Sequence, residues 1–431
     1  MPFLFYPVLA GVRPRRRALA CALALTLASS AALAQSLSLE AAQRAALAHS
    51  ARLHGKGAAI DAAQAMSVAA GERPDPVLKA GIDNIPATGA ERATLGTESM
   101  TMRRIGVMQE LTRGDKLRLR SERYQREAER ALAERDALRS DIERDTALAW
   151  LDLSFAQAEL DLLQAQQASL QDERTAVEAS YRGGRARRSE LIAIDAELAM
   201  LEERRSTVRQ RVRAAAIALA RWTGSDATPA IGPLPDLSTP PLDLAQLERE
   251  QGRYPVLQAL DRQRALSETE ASLAAAARRP DWSVELAFQQ RGPAYSNMVS
   301  FGVSVPLQWD RKNRQDRELA ARLAQASGAR DEYEEARRAF VAEQRQGLDL
   351  WQTGRERLAR YRQVLEPLAR ERTAALLADY RGGKATLAEV VGARRQELDV
   401  RLQALQLDAE TARTWARLRY QIPTLPLKDS P

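Results

Sequence analysis

The sequence predicts a mainly α-helical fold with a small β part, built from two internal repeats. Each repeat would hold a helix, a pair of short strands and a long antiparallel helical hairpin. Three observations predict it. Tyr181-Arg182-Gly183-Gly184 returns as Tyr380-Arg381-Gly382-Gly383, each time between two long helical stretches. A short region of alternating residues precedes each copy, at 74–111 and 280–307. Apolar residues recur at a spacing of seven in between.

The first 34 residues are expected to be a targeting segment rather than part of the fold. Arg13, Arg15, Arg16 and Arg17 form a basic stretch, 18–27 is apolar but too short to span a bilayer, and Ala32-Leu33-Ala34 fits a small-x-small cleavage pattern. Cleavage would make Gln35 the new N-terminus. It would also remove Cys21, the only cysteine, and with it any disulfide or thiolate metal site. The formal charge of +7 would fall to about +3 once those four arginines are gone. The remaining arginines alternate with glutamates along helices, the pattern of a solvated face. No basic stripe carries interleaved aromatics, so nucleic acid is not an expected partner. Aromatic residues make up only 5% of the chain and alanine is abundant. Small side chains suit helices packed closely in a thin wall.

The first repeat is expected over 35–224. Leu78, Ala80 and Ile82 alternate with Lys79, Gly81 and Asp83, and Ile105, Val107, Gln109 and Leu111 form the return strand. Arg103 and Arg104 sit side by side and weaken that alternation. A long helix is expected from about 115 to 181. Ile142, Ala149, Ala156, Leu163, Leu170 and Val177 recur at a strict spacing of seven, which requires neighbours coiled left-handedly. Its partner, about 188 to 222, carries two seams: Ile194, Leu201, Val208, Ala215 and Trp222, and Leu191, Leu198, Val212 and Leu219. Two seams imply contacts on two sides, as in a closed ring of helices. A Pro- and Gly-rich connector follows at 225–241.

The second repeat, 242–422, restates this order before a tail at 423–431. Trp282, Val284, Leu286 and Phe288 alternate with polar or small residues, as do Val299, Phe301, Val303, Val305 and Leu307 after the turn Gly292-Pro293-Ala294. Strands of nine or ten residues suit a tilted bilayer crossing, with apolar residues facing lipid and polar residues a wet lumen. Taken alone, they fit a soluble hairpin half-buried against a helix equally well. A long helix from about 310 to 380 contains Pro367, which should kink or loosen it, and a last helix runs from about 387 to 420. Four strands cannot close a barrel, and open edges are not tolerated in lipid. Two copies would give eight strands and a filled interior. Three give twelve, an even number in the known range.

These residues resemble the TolC family of outer-membrane efflux channels over nearly the whole chain. The tips read Tyr181…Gly184…Glu190-Leu191-Ile192 and Tyr380…Gly383…Glu389-Val390-Val391. The strand-to-helix passages 109–117 and 305–314 resemble the branch serving cobalt–zinc–cadmium and copper–silver efflux pumps. The resemblance implies a homotrimer with a twelve-stranded barrel in outer-membrane lipid and a helical tunnel across the periplasm. A periplasmic adaptor (membrane fusion protein) and an inner-membrane pump of the resistance-nodulation-division type are the implied partners. The implied function is passive efflux; a duct for secreted polypeptides or drugs is the alternative.

In this family the second-repeat tip carries the gate. Tyr380 matches its tyrosine and Glu389 its first acid. The second acid falls on Gly392 and the basic position on Ala385, with Lys384 adjacent. The family's gate network is therefore incomplete here. Arg182, Gly183, Gly184, Arg185 and Arg187 at one tip, and Arg381, Gly382 and Gly383 at the other, form charged turns that could dock an adaptor or simply be solvated. Glu389 could ring a lumen or complement its helix dipole. Neither a phosphate loop nor a nucleophile triad is visible, so no enzyme and no cofactor is expected. His49 and His54 lie five apart on what reads as one helix, not the four that would put two ligands on one face; strand packing accounts for Met100, Met102 and Met108. No metal site is assigned.

Overall fold

The computed structural model describes residues 36–225 and 229–425. The predicted targeting segment lies outside the described residues, as do part of the connector and most of the tail. The elements run in chain order as α1 (Leu39–His49), α2 (Ala51–Gly71), β1 (Val77–Asp83), β2 (Met102–Leu111), α3 (Gly114–Arg182), α4 (Arg188–Thr223), α5 (Leu244–Arg249), α6 (Pro255–Ala277), β3 (Trp282–Gln290), β4 (Met298–Ser304), α7 (Gln315–Arg360), α8 (Glu366–Arg381) and α9 (Leu387–Arg419).

The first helical stretch is two helices, not one. Ser50 breaks it, and its side chain accepts the Leu53 N–H as the cap of α2. A Ser that can bond its own backbone competes with the helix and starts a new one. His49 therefore ends α1 while His54 lies in α2, so the two share no helix at all.

α3 has 69 residues, or about 100 Å at 1.5 Å each. Every residue of its predicted seam, Ile142, Ala149, Ala156, Leu163, Leu170 and Val177, is buried. On α4, Ile194, Leu201 and Val208 are buried, whereas Leu191, Leu198 and Val212 of the second seam stay half-exposed. α4 packs on α3, α3 on α9, and α9 on α8. The largest apolar core lies where α1, α3, α4, α7 and α9 converge, around Trp150, Leu153, Leu219, Trp351 and Trp415.

Pro367 loosens the helix as expected, in the turn just before it. A wide π-turn at Tyr361–Leu365 separates α7 from α8, and the Glu366 N–H donates to the Tyr361 carbonyl. Proline offers no N–H to the carbonyl four residues back, and the wider turn absorbs the mismatch. α7 begins at Gln315, not near 310, because Asp310 accepts from both nitrogens of Asn313 and holds a turn there.

The four strands form one antiparallel sheet in the order β1-β2-β3-β4. β2 and β3, from different repeats, pair over nine residues, Arg103↔Gln290 to Leu111↔Trp282. Val305, expected in the last strand, lies just beyond it; Ser283↔Ser304 is the final pair. Pro306 has no N–H to extend the ladder, and β4 is an edge in the single chain.

Candidate functional site

The sheet separates two chemistries across its thickness. Its register puts Leu78, Val107, Leu286 and Phe301 in one row, with Ala80, Ile105, Phe288 and Val299 beside them. Val284 faces Val303, and Trp282 faces Leu111 at the helix end of the sheet. Most of these large apolar side chains are exposed, Phe301 to 71%.

The other face is mainly polar or small, with Val77 and Met108 beside Glu285 as exceptions: Lys79, Gly106, Ala287 and Ser300 form one row. Glu285 accepts from the Lys79 ammonium at 2.7 Å and pairs with the Arg104 guanidinium. Both cations reach it past Gly106, where a Cβ would lie 2.7 Å from that of Ala287. The adjacent arginines are thereby explained. Arg104 belongs to the polar face, while Arg103 pairs with Ile82 and Gln290 where the apolar band ends.

The two hairpin tips share one backbone design. Gly184 (φ +70°) and Gly383 (φ +72°) take the left-handed conformation, while Gly183 and Gly382 do not. Arg185 N–H returns to Ser180 O and Gly184 N–H to Tyr181 O; Lys384 and Gly383 repeat this onto Asp379 and Tyr380. This is the six-to-one and five-to-two bonding that ends a helix and reverses the chain. Arg182 pairs with Glu178. Arg185, Arg187, Arg381 and Lys384 are exposed and have no ion-pair partner among the described residues.

Tyr380 donates its hydroxyl to Glu190 Oε2 at 3.2 Å, tying the second tip to the first. Burial, and then the Glu190 carboxylate, raises its pKa above the ordinary phenol value. The O–H thus remains a donor at any physiological pH. Three further links join the hairpins toward the tip, and Arg413 pairs with Asp152 farther from it. Arg394 pairs with Glu173 and donates to Ser169, Arg395 pairs with Glu197, and Arg204 with Asp399. Burial raises the Glu173 pKa despite Arg394. Beneath them Val177, Ile194, Leu387 and Val391 form a small apolar cluster against Tyr380.

Glu389 is placed by its own helix. Its carboxylate accepts the Thr386 N–H at 2.7 Å and the Thr386 hydroxyl at 2.9 Å, and Thr386 accepts the Glu389 N–H in return. This capping box satisfies two free donors of the first turn. The Thr386 N–H, then its hydroxyl, lowers the Glu389 pKa. The resulting stabilisation is present above the carboxyl's unfolded pKa and is lost as pH falls through the lowered value. Tyr380, Lys384 and Glu389 therefore do not converge within one chain: Tyr380 turns to the first hairpin, Glu389 caps α9, and Lys384 projects from the turn. Sequence reasoning missed Glu173, Arg394, Arg395 and Asp399. Only Glu190 carried a signal, nine residues after Tyr181 as Glu389 follows Tyr380.

No protein-family model matches the sequence, and no curated protein does. Solved structures do. The chain superposes on CusC, whose structures concern folding and transmembrane channel formation, over 90% of this chain and 92% of that one (TM-score 0.76, 15% identity). It superposes on the outer membrane protein VceC of Vibrio cholerae over 89% and 96% (TM-score 0.74, 18% identity). It also superposes on the outer-membrane channel OprN over 89% of each chain (TM-score 0.73, 18% identity). The likeness lies in the architecture set out above, and the chain has the fold of these outer-membrane proteins.

Proposed function

We propose that three copies of this chain form an exit duct in the outer membrane of a Gram-negative bacterium. The duct passes solutes passively from an adaptor and a resistance-nodulation-division pump to the exterior. The sheet carries this reading: one face is apolar and exposed, the other mainly polar, and β1 and β4 have no second partner among the described residues. Such edges in lipid demand neighbouring strands. The roughly 100 Å length of α3 suits a tube through the periplasm. Heavy-metal cations are the favoured cargo because of the strand-to-helix passages at 109–117 and 305–314. Lys79 and Arg104 would neutralise Glu285 in the barrel lumen, leaving cargo selection to the pump.

Planar-bilayer recording of purified protein tests the duct. The wild type is expected to give small currents, limited by the tip. Tyr380→Phe removes a hydrogen bond to a carboxylate, about 1.5–3 kcal/mol per copy. Its baseline conductance should rise several-fold; protein that never conducts in either form would end this reading. Docking is tested separately. Arg185→Glu with Arg187→Glu should reduce cross-linking to the adaptor several-fold and leave the oligomer intact. Undiminished cross-linking would make those arginines solvated loop residues and nothing more.

A further inference from the structure

Within one chain the hairpins meet mainly through α9 of the second against α3 of the first, with α4 and the end of α8 adding contacts at the tip. This seam includes Arg394 on Glu173 and Ser169, Val391 in the apolar cluster, and Tyr380 on Glu190. The repeats are offset by 199 residues, as Tyr181 is from Tyr380 and Glu190 from Glu389. Applying that offset to the seam generates a second set of positions.

Glu173 maps onto Arg372 and Arg394 onto Asp195, so the ion pair reappears with its charges exchanged. Val391, 9% exposed, maps onto Ile192, which is 57% exposed. Ser169 maps onto Leu368, also 57% exposed. Tyr380 and Glu190 map onto Tyr181, whose hydroxyl has no hydrogen-bond partner among the described residues, and the exposed Glu389. Ile192 and Asp195 share one face of α4, and Leu368 and Arg372 one face of α8, at i to i+3 and i to i+4. α4 and α8 are the outer helices of the tip region, α3 and α9 make most of the contact between the hairpins, and α4 meets α8 only through Tyr380 and Glu190 among the described residues. Inside one molecule the mapped residues of α4 are not paired with those of α8 among the described residues. Asp195 and Arg372 hold only surface partners, Arg174 and Gln396, of the kind that exchange at little cost.

We infer that the α4 flank of one copy docks on the α8 flank of a second copy. Asp195 meets Arg372 of the partner subunit, Ile192 is covered there beside Leu368 of the partner subunit, and Tyr181 donates to Glu389 of the partner subunit. The charge exchange keeps the two seams distinct, because Asp195 would repel Glu173 and Arg372 would repel Arg394. This rests on the duct reading, and it adds the residues that close the ring at its tip.

The test is thiol cross-linking of the full chain in native outer membranes, with a bifunctional maleimide long enough to replace an arginine–carboxylate pair. Asp195→Cys with Arg372→Cys should give covalent two-chain and three-chain species on denaturing gels, and neither single variant should. Glu173→Cys with Arg394→Cys, the pair whose side chains meet within one chain, should cross-link internally and give no two-chain species. Trimers on native gels whose Asp195/Arg372 cysteines stay monomeric when denatured would overturn this seam alone. Absence of any oligomer on native gels would overturn the duct and the seam together.

Discussion

Phe301→Arg is expected to cost about 2–4 kcal/mol of stability in the membrane for each chain, the range for a cation on the lipid face near mid-bilayer. Phe301 is the most suitable target because it sits mid-strand in β4, pairs with Leu286, and continues a row through Val107 to Leu78. It is 71% exposed among the described residues. Ser300→Arg is the matched control, one residue away on the polar face beside Ala287. Its guanidinium would face water, and its cost should stay below about 1 kcal/mol, the range of ordinary surface changes. Urea titration of refolding into lipid vesicles measures both. Equal losses for the two substitutions would mean that neither face is in lipid.

Trp150→Ala is expected to be the most destabilising change in the helical part, about 3–5 kcal/mol for a large aromatic removed from a core. Trp150 is fully buried and packs where α1, α3, α4, α7 and α9 come together. Its indole N–H donates to the Leu37 carbonyl at 2.8 Å, and Leu37 also bridges to Ile231 in the connector. The substitution thus opens a cavity and releases the segment that ties the two repeats together. Trp150→Phe should fill most of the space and lose mainly the hydrogen bond, about 1 kcal/mol. Chemical unfolding midpoints followed by far-ultraviolet circular dichroism distinguish the two. A Trp150→Phe loss as large as that of alanine would place the energy in the hydrogen bond instead of the packing.

The long helices were legible because a seven-residue spacing is a local property, and burial of the residues from Ile142 to Val177 follows from it directly. The strands were legible for the same reason, since Leu286 and Phe301 belong to alternations that one stretch of chain displays. Which strands are neighbours was not, because pairing β2 with β3 joins residues 103–111 to 282–290 across the whole first hairpin. The Ser50 break was readable in hindsight as a serine three residues before an apolar position. Glu389 was assigned two roles; its Thr-x-x-Glu spacing, 386 to 389, already contained the cap that the structure displays. The links between hairpins were invisible for a different reason. Arg394 and Glu173 are unremarkable charges on helices full of charges, and only the packing of α9 on α3 singles them out.

The π-turn at Tyr361–Leu365 accommodates one residue more than an α-turn, so side chains below it are swung by about 100° relative to an unbroken rod. α3 runs past the corresponding level without interruption. Around a circle of three molecules, stiff and compliant staves would therefore alternate. In the proposed duct, an aperture built this way would open by three displacements instead of six, toward a triangle with rounded corners.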